Sequence, residues 1–342
     1  MANVLMLAVA GAGKTSYLVN KLNEDERFMI VTYTINNVAN IQRKIIRRFG
    51  YFPSNITLLS YFGFLYHECF LPFSKLEFNP TGFYWQQPAE WTRYQKHKSL
   101  LYYATHDGML YHNRIANYCR EYHLQEIKER IEKYFDHFYI DEVQDLGGHD
   151  FDLIHDLFPL QIDALLVGDF FQHTYDTSAD GNLNSGVYKV FKTYLRKWNH
   201  LTIDVQTLSK SYRCTRQICE FVTKQIGIAI DSHRKEDSQI IVIETQEEAV
   251  AILEDPNIMK LVFWKCHNYT FNAMNWGDSK GLDDFEDVCV ILNKTTLGLF
   301  KSRTLHKLAP LSRNKLYVAC TRAHRHLYIM SDEFTANYLI PN

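Results

Sequence analysis

The segment Ala8-Val9-Ala10-Gly11-Ala12-Gly13-Lys14-Thr15 overlaps the end of an apolar run, residues 4–9, and leads into a helical pattern at 16–22. Small residues after a strand let successive backbone N–H groups curl around a phosphate at the positive end of the next helix. A lysine and a hydroxyl residue closing such a loop supply an outer-phosphate contact and a magnesium ligand. The segment predicts a P-loop whose nucleotide-binding residues are Ala10, Gly11, Ala12, Gly13, Lys14, Thr15 and Ser16.

An acidic pair follows another apolar run. His137-Phe138-Tyr139-Ile140 is continued by Asp141-Glu142-Val143-Gln144-Asp145. Nucleotide hydrolysis needs a carboxylate on the magnesium ion and a base on the attacking water. We expect Asp141 to hold the metal, through water, and Glu142 to orient and deprotonate the water. Carboxylates at a strand end often form only a solvated turn, but their position after a P-loop favours the catalytic interpretation.

Short apolar runs alternate with amphipathic stretches along the whole chain of 342 residues. This alternation predicts an α/β fold with parallel sheets, and the length favours two lobes. We place the lobes at residues 1–198 and 199–342, with a mostly helical, aromatic insertion at about 70–134. Helices are expected at 214–228 and 312–323. Strands are expected at 4–9, 28–33, 56–59, 137–140, 163–167, 205–208, 239–243, 260–263, 288–292 and 326–330.

Composition narrows the class of protein. A formal net charge of -2 gives no overall basic footprint, so any nucleic-acid contact has to come from a local groove. The seven cysteines lack the paired spacing that holds zinc, which predicts reduced, buried thiols. The first apolar run lacks the basic start of a signal peptide, and no run has the length of a membrane span. We expect a soluble, cytoplasmic protein.

The acidic motif DEVQD at 141–145 resembles the DExQD motif of the UvrD/Rep-like branch of superfamily 1 DNA helicases. Further segments resemble motifs of that family in the same order, and the resemblance runs from residue 4 to about 330. They are VTYTINN at 31–37, TLLSYFG at 57–63, GDFFQ at 168–172, SYRC at 211–214, DSKGL at 278–282 and YVACTRA at 317–323. The resemblance implies two RecA-like lobes that hydrolyse ATP between them, with Mg²⁺, and move 3′ to 5′ along single-stranded DNA.

The resemblance also implies roles for single residues. Gln172 would sense the terminal phosphate, Tyr212 would stack on adenine, and Arg213 and Arg322 would reach the γ-phosphate as arginine fingers. Either Asp283 or Asp284 would contact the ribose, because the segment after Leu282 is one residue longer than in the family. The implied contacts to the nucleic-acid strand are Thr34, Asn36, Tyr61, Phe62, Tyr175, Ser279 and Lys280.

Three departures from the family pattern bear on function. Very few residues precede the first strand, so a glutamine motif that reads adenine is not expected. Thr177 stands where the family has a base-stacking tryptophan, so the contact to the base is expected either to be weaker or to move to Tyr175, Phe171 or the aromatic insertion. About 65 residues separate Arg213 from Asp278, where the family has a large helical subdomain, so we expect a minimal form.

Three hypotheses remain open from the sequence. The first is an autonomous DNA helicase or translocase. The second is a DNA-dependent ATPase subunit that controls a partner, for example a nuclease in phage defence, and the pruned architecture favours it somewhat. The third is an NTP-binding switch without motor activity. The presence of Glu142 and of both arginines argues against the third, because a pure binding module does not need them.

Overall fold

A computed structural model describes residues 2–95, 99–175, 183, 184 and 186–340, without the side chains of residues 75–77 and 93. The chain divides into two compact units. Unit 1 comprises Met1–Met6, Thr15–Gly168 and Asp176–Asp204, and unit 2 comprises Leu7–Lys14, Asp169–Tyr175 and Val205–Asn342. The predicted lobe boundary between residues 198 and 199 stays a prediction.

Short strands account for the two sheets of the core and two small pairs. In chain order they are β1 (Asn3–Leu7), β2 (Phe28–Thr32), β3 (Ile56–Ser60), β4 (Gly82–Tyr84), β5 (Met109–Tyr111), β6 (His137–Asp141), β7 (Asp163–Gly168), β8 (Thr202–Asp204), β9 (Lys210–Ser211), β10 (Asp231–Ser232), β11 (Ile240–Val242), β12 (Ile258–Val262), β13 (Ala273–Asn275), β14 (Asp287–Leu292) and β15 (Leu327–Ser331).

The helices flank these strands. The α-helices are α1 (Lys14–Asn20), α2 (Ile35–Phe49), α3 (Tyr61–Phe64), α4 (Leu71–Phe78), α5 (Leu100–Tyr103), α6 (Ile115–Tyr134), α7 (Gly148–Leu157), α8 (Phe191–Lys197), α9 (Arg216–Phe221), α10 (Gln246–Glu254), α11 (Lys294–Lys301) and α12 (Pro310–Cys320). Two π-helical segments are Leu65–Phe70 and Val222–Ile226. The 3₁₀ segments are Glu90–Tyr94, His112–Arg114, Val143–Asp145, Phe170–Gln172, Cys266–Asn268, Leu305–Lys307 and Asp332–Tyr338.

Unit 1 is built on a six-stranded sheet in the order β3-β2-β6-β7-β1-β8. The pairs β1–β8, β2–β3, β2–β6 and β6–β7 are parallel. All five residues of β2 are buried, as expected where helices cover both faces of a parallel sheet. The P-loop segment follows β1 in the chain, and the acidic motif begins at Asp141, the last residue of β6.

Unit 2 contains a five-stranded sheet in the order β11-β15-β14-β12-β13, parallel in every pair, and the small parallel pair β10–β9. All six residues of β14 are buried. The helix α12 packs its buried side chains, including Tyr317, into the core of this unit with Trp276. The predicted α/β class with parallel sheets is confirmed.

The predicted strand at 205–208 is wrong. The chain leaves the sheet of unit 1 after β8, and residues 205–208 form a bend and a turn. The carbonyl of Leu208 accepts the N–H of Val9 at 3.0 Å, outside any strand ladder, and Val205 is exposed. Two apolar residues three positions apart fit a turn as well as a strand, which explains the error.

The insertion between β3 and β6 is mostly helical, as predicted, and also contains the parallel pair β4–β5. Six of the seven cysteines are buried and Cys266 is half-buried, and all seven are free thiols, in agreement with the expectation of reduced cysteines. Within the described ranges, no helix has both the length and the apolar character needed to cross a membrane.

Candidate nucleotide and nucleic-acid sites

The P-loop backbone requires glycine at two positions. Gly11 and Gly13 have φ angles of 69° and 81°, a region that residues with a Cβ adopt at a cost. A Cβ on Gly11 would lie 2.6 Å from the Cβ of Arg213 and 2.7 Å from Oγ of Ser211. The N–H of Tyr212 also donates to the carbonyl of Gly11 at 2.8 Å. The P-loop and the SYRC segment, residues 211–214, therefore pack backbone against backbone within unit 2.

The remaining P-loop residues differ in exposure. The N–H of Ala10 donates to the hydroxyl of Tyr317 at 2.7 Å, and Ala12 is buried. Lys14 begins α1 and is only 9% exposed. Ser16 is exposed and accepts a hydrogen bond from Nζ of Lys44 at 2.9 Å. Lys14 therefore stands in a largely desolvated position, where a cation interacts strongly with a phosphate.

The predicted metal ligands of unit 1 lie together. Oγ1 of Thr15, in the first turn of α1, donates to Oδ2 of Asp141 at 3.2 Å. Asp141 ends β6 and is 3% exposed. Two hard oxygen ligands at this separation suit Mg²⁺, which is usually held by one or two protein groups together with substrate phosphates and water. No cluster of three or more His, Cys, Asp or Glu ligands occurs among the described residues, and a site of this kind does not need one.

Glu142 has a left-handed backbone, with φ 59° and ψ 43°. This conformation raises the backbone energy of a residue that has a Cβ, and it persists only where surrounding contacts stabilise it. The N–H of Glu142 donates to Oδ1 of Asp141 at 3.1 Å, and the side-chain amide of Gln144 donates to the carboxylate of Glu142. The first bond fixes the backbone of Glu142 against Asp141, and the second holds the carboxylate of Glu142.

Gly168 makes room for Gln144. A Cβ on Gly168 would lie 2.3 Å from Oε1 of Gln144 and 2.8 Å from Cγ1 of Val143. Gln144 is completely buried, so it cannot move aside. Gln144 and Gly168 belong to the two motifs, but the motifs alone assign neither a contact. The packing shows that Gly168 leaves room for Gln144, which in turn bonds the carboxylate of Glu142.

We expect Gly168→Ala to destabilise the protein by about 1–3 kcal/mol, since overpacking a dense interior costs that much. Gly298→Ala is the matched control, because Gly298 lies in α11 with open space around its missing Cβ. Alanine is favoured over glycine in a helix by about 1 kcal/mol, so the control should be neutral or stabilising. The midpoints of urea unfolding measure both, and equal midpoints would contradict the proposed close contact.

Asp169 is a buried hydrogen-bond acceptor in unit 2. It accepts from the N–H of Phe171 at 3.0 Å, from the amide of Gln172 at 2.9 Å and from the hydroxyl of Tyr317 at 3.0 Å. Burial raises the pKa of Asp169, while the charge of Lys14 and these hydrogen bonds oppose the rise. Gln172 is 4% exposed. It donates to the same carboxylate whose pKa the charge of Lys14 lowers.

The two predicted arginine fingers have different surroundings within unit 2. Arg213 pairs with Asp283, and its Nη1 also donates to the carbonyl of Thr321 at 3.4 Å. Arg322 is 1% exposed and donates to the carbonyls of Val318 at 3.1 Å and Leu282 at 2.8 Å. Burial lowers the pKa of Arg322, and the neighbouring charge of Arg213 adds to the effect. The guanidinium of Arg322 is thus buried and donates its hydrogen bonds to backbone carbonyls of unit 2.

The structure distinguishes the two candidate ribose contacts. Both side chains are exposed, but Asp283 accepts from Arg213 and from Nε2 of His324 at 3.1 Å. Burial raises the pKa of Asp283, but the hydrogen bonds from His324 and Arg213 outweigh it and hold that pKa well below its ordinary value. Asp283 is therefore ionised at neutral pH and fixes the direction of Arg213.

Tyr212 is suited to stacking. Its side chain is 63% exposed, and one face packs on His233 with ring centroids 4.1 Å apart and planes 15° apart. Its ring also lies 3.8 Å from the position of a Cβ on Gly13. An exposed ring face next to the P-loop is where the resemblance expects adenine to stack.

The predicted strand contacts in unit 1 are partly exposed. Thr34 caps α2 by accepting the N–H of Asn37 at 3.1 Å, and Asn36 is exposed in the first turn of that helix. Tyr61 is 5% exposed and its hydroxyl donates to Asp150 at 3.1 Å. Phe62 is half-buried against Phe83 and Trp85. The side chain of Tyr61 is buried, whereas Thr34 and Asn36 are exposed and Phe62 is half-buried.

The predicted strand contacts in unit 2 are also mixed. Ser279 is completely buried, and its hydroxyl donates to the carbonyl of Trp276 at 2.7 Å. Lys280 is half-buried. Tyr175 is 39% exposed and its hydroxyl donates to Asp278. Thr177, at the position of the family's tryptophan, lies outside the described residues.

Comparison with known proteins finds similarity in structure alone. No family model matches the chain, and no curated protein matches it. The helicase of PRRSV matches with a TM-score of 0.51 and 12% identity over 99% of this chain and 55% of its own. Arterivirus nonstructural protein 10, a helicase in complex with DNA, matches with a TM-score of 0.52 and 13% identity over 96% of this chain and 60% of its own.

These matches show the fold. The chain shares the fold of these helicases over nearly its whole length, and it spans about 55–62% of their own length. They do not distinguish the UvrD/Rep-like branch from other branches, so that finer resemblance stays a prediction.

Proposed function

We propose that this chain is an ATP-driven motor that moves 3′ to 5′ along single-stranded DNA. The contact of Thr15 with Asp141, with Glu142 in the next position, is the observation that carries the proposal. Thr15 and Asp141 would be the metal ligands and Glu142 the base, and the positive φ angles of Gly11 and Gly13 fit a P-loop. ATP and the direction of movement come from the resemblance to UvrD/Rep-like helicases.

The side chains support a division of labour in hydrolysis. Thr15 and Asp141 would hold Mg²⁺, which supplies charge stabilisation for the phosphates when bound. Lys14 would contact the outer phosphates from its desolvated position. Glu142, held by Gln144, would take the proton of the attacking water. Arg213, held by Asp283, would stabilise charge on the transferred phosphoryl group, and Arg322 would join it only after leaving its internal carbonyl partners.

We expect Asp283→Asn to lower kcat by about tenfold, because a neutral amide holds Arg213 less firmly than a carboxylate does. A ribose contact would instead raise KM and leave kcat nearly unchanged. Asp284→Asn, one residue on, is expected to have the smaller effect on kcat. Steady-state ATP hydrolysis of the two variants decides between the roles, and a pure KM effect at Asp283 would contradict the positioning role.

Several side chains support single-stranded DNA as the track. Thr34, Asn36 and Phe62 reach the surface of unit 1, and Tyr175 and Lys280 reach the surface of unit 2. A similar fold is recorded in complex with DNA. Because the net charge is -2, affinity should depend on a few local contacts and weaken with added salt.

The direction of movement is tested with single-stranded DNA that carries streptavidin on a biotin at one end. A 3′-to-5′ motor displaces streptavidin from the 5′ end and leaves the 3′ end occupied. The opposite preference would refute the polarity, and no displacement from either end would refute movement.

The alternative of an ATPase subunit that controls a partner nuclease stays a prediction, since no described residue favours such a partner. A duplex-unwinding assay of the isolated protein separates this alternative from an autonomous helicase. Efficient unwinding of a tailed duplex by the protein alone would refute dependence on a partner.

A further inference from the structure

Two exposed aromatic rings of unit 2 border the same cation. Trp264, two residues after β12, is 55% exposed, and Tyr175 is 39% exposed. Nζ of Lys315, on α12, lies 5.2 Å from the ring centroid of Trp264 and 5.0 Å from that of Tyr175. Rings at a cation within about 6 Å are attracted to it, so Lys315 ties the two aromatic side chains together.

Hydrogen bonds connect the two segments that carry these rings. The hydroxyl of Tyr175 donates to Asp278, and Gly277 leaves room for that hydroxyl, since a Cβ there would lie 2.7 Å from it. Asn275 donates to the same carboxylate at 2.6 Å and accepts the N–H of Cys266 at 2.9 Å. This network joins the loop that carries Trp264 to the segment that holds Tyr175.

The rings of Trp264 and Tyr175 form an aromatic surface, and this surface is not suited to binding phosphate. Lys315 is 8% exposed, so the rings cover its ammonium group. Burial lowers the pKa of Lys315, and the charge of Asp278 opposes this. The carboxylate of Asp278 beside the rings disfavours a phosphate. A flat, uncharged π system is the ligand that this surface accepts.

We propose that an unpaired base of single-stranded nucleic acid stacks on the exposed face of Trp264, with Tyr175 beside it. Every base has a π face, so stacking on an aromatic side chain tolerates any sequence. In a duplex the faces are already stacked on one another, so the site selects single strands. This inference rests on the proposed function and adds the residue that grips the base.

A second exposed aromatic surface competes for this role. In unit 1, Trp85 is 61% exposed, but its ring packs on His112 at 5.3 Å and on Phe62 at 4.9 Å. Within the described part of the chain, no aromatic ring packs on Trp264. Trp85 is the more exposed residue, but its ring is already engaged by neighbouring rings, whereas the ring of Trp264 contacts the cation of Lys315. We therefore assign the base to Trp264.

Binding of a fluorescein-labelled oligothymidylate to the intact protein, followed by anisotropy, tests the proposal. We expect Trp264→Ala to weaken binding by about tenfold, as for the loss of one stacked base, and Trp264→Phe to retain most of the affinity. Unlabelled oligothymidylate should quench tryptophan fluorescence in the wild type and much less in Trp264→Phe. Tyr51→Ala is the matched control, because Tyr51 is 54% exposed in unit 1, and it should bind like the wild type.

The outcomes separate this inference from the proposed function. If the wild type binds no oligothymidylate, the motor proposal itself fails. If the wild type binds but Trp264→Ala binds equally well and quenching survives in Trp264→Phe, only the stacking site is refuted. Loss of affinity in Trp85→Ala in place of Trp264→Ala would move the base to unit 1, and equal affinity for a duplex would also overturn the proposal.

Discussion

Glu142→Gln is expected to lower DNA-stimulated ATP hydrolysis by about 10²–10⁴-fold, the contribution typical of a general base. The substitution keeps the size of the side chain and its capacity to bond Gln144, but the amide cannot accept the proton of water. Nucleotide affinity should stay within a few-fold of the wild type, because the predicted phosphate and metal contacts belong to Lys14, Thr15 and Asp141.

The kcat for ATP and the Kd for a fluorescent ATP analogue measure the two effects separately. Glu129→Gln is the control, since Glu129 is exposed on α6 of the same unit and accepts a hydrogen bond from Gln125, and it should retain full activity. Full activity in Glu142→Gln would remove Glu142 from the mechanism. A joint loss of binding and turnover would mean that the residue maintains the fold and does not act as a base.

Arg213→Ala is expected to lower kcat by about 10³-fold, at the lower end of the range for arginine fingers. Arg213 sits against Gly11 of the P-loop and is directed by the ionised Asp283. Some loss of stability is also expected, because the side chain of Arg213 is only 12% exposed although that of Asp283 is 59% exposed. Steady-state kinetics and thermal unfolding distinguish catalysis from stability.

Arg216→Ala provides the matched arginine control. Arg216 begins α9, three residues beyond Arg213, and its side chain is 77% exposed in a pair with Glu220. It should hydrolyse ATP like the wild type. If Arg213→Ala instead loses thermal stability and retains kcat per folded molecule, Arg213 is a structural residue and the proposed finger role is wrong.

The sequence predicted those features that depend on short-range patterns. The P-loop needs glycines that adopt positive φ angles, a strand before it and a helix after it. All three features are encoded within the first 20 residues. The acidic motif likewise depends on one buried strand. In the structure Thr15, directly after the lysine of the P-loop, donates to Asp141 at the end of β6.

Features that depend on packing between distant segments could not be read from the chain. Gly168 and Gln144 depend on one close approach, and the grouping of Trp264 with Tyr175 and Lys315 depends on β12, the segment around residue 175 and α12 meeting in unit 2. The burial of Tyr61, Ser279 and Arg322 has the same origin, because a motif fixes residue type and leaves exposure to its neighbours. The false strand at 205–208 shows that short apolar patterns need a ladder partner to become strands.

The rate of ATP hydrolysis with and without single-stranded DNA tests the central claim most directly. The account predicts that the wild type hydrolyses ATP and that single-stranded DNA raises kcat by about tenfold or more, as expected when the track drives the conformational step that limits turnover. Stable binding of ATP without turnover, or turnover that DNA leaves unchanged, would contradict a nucleic-acid-driven motor and favour a nucleotide-binding switch.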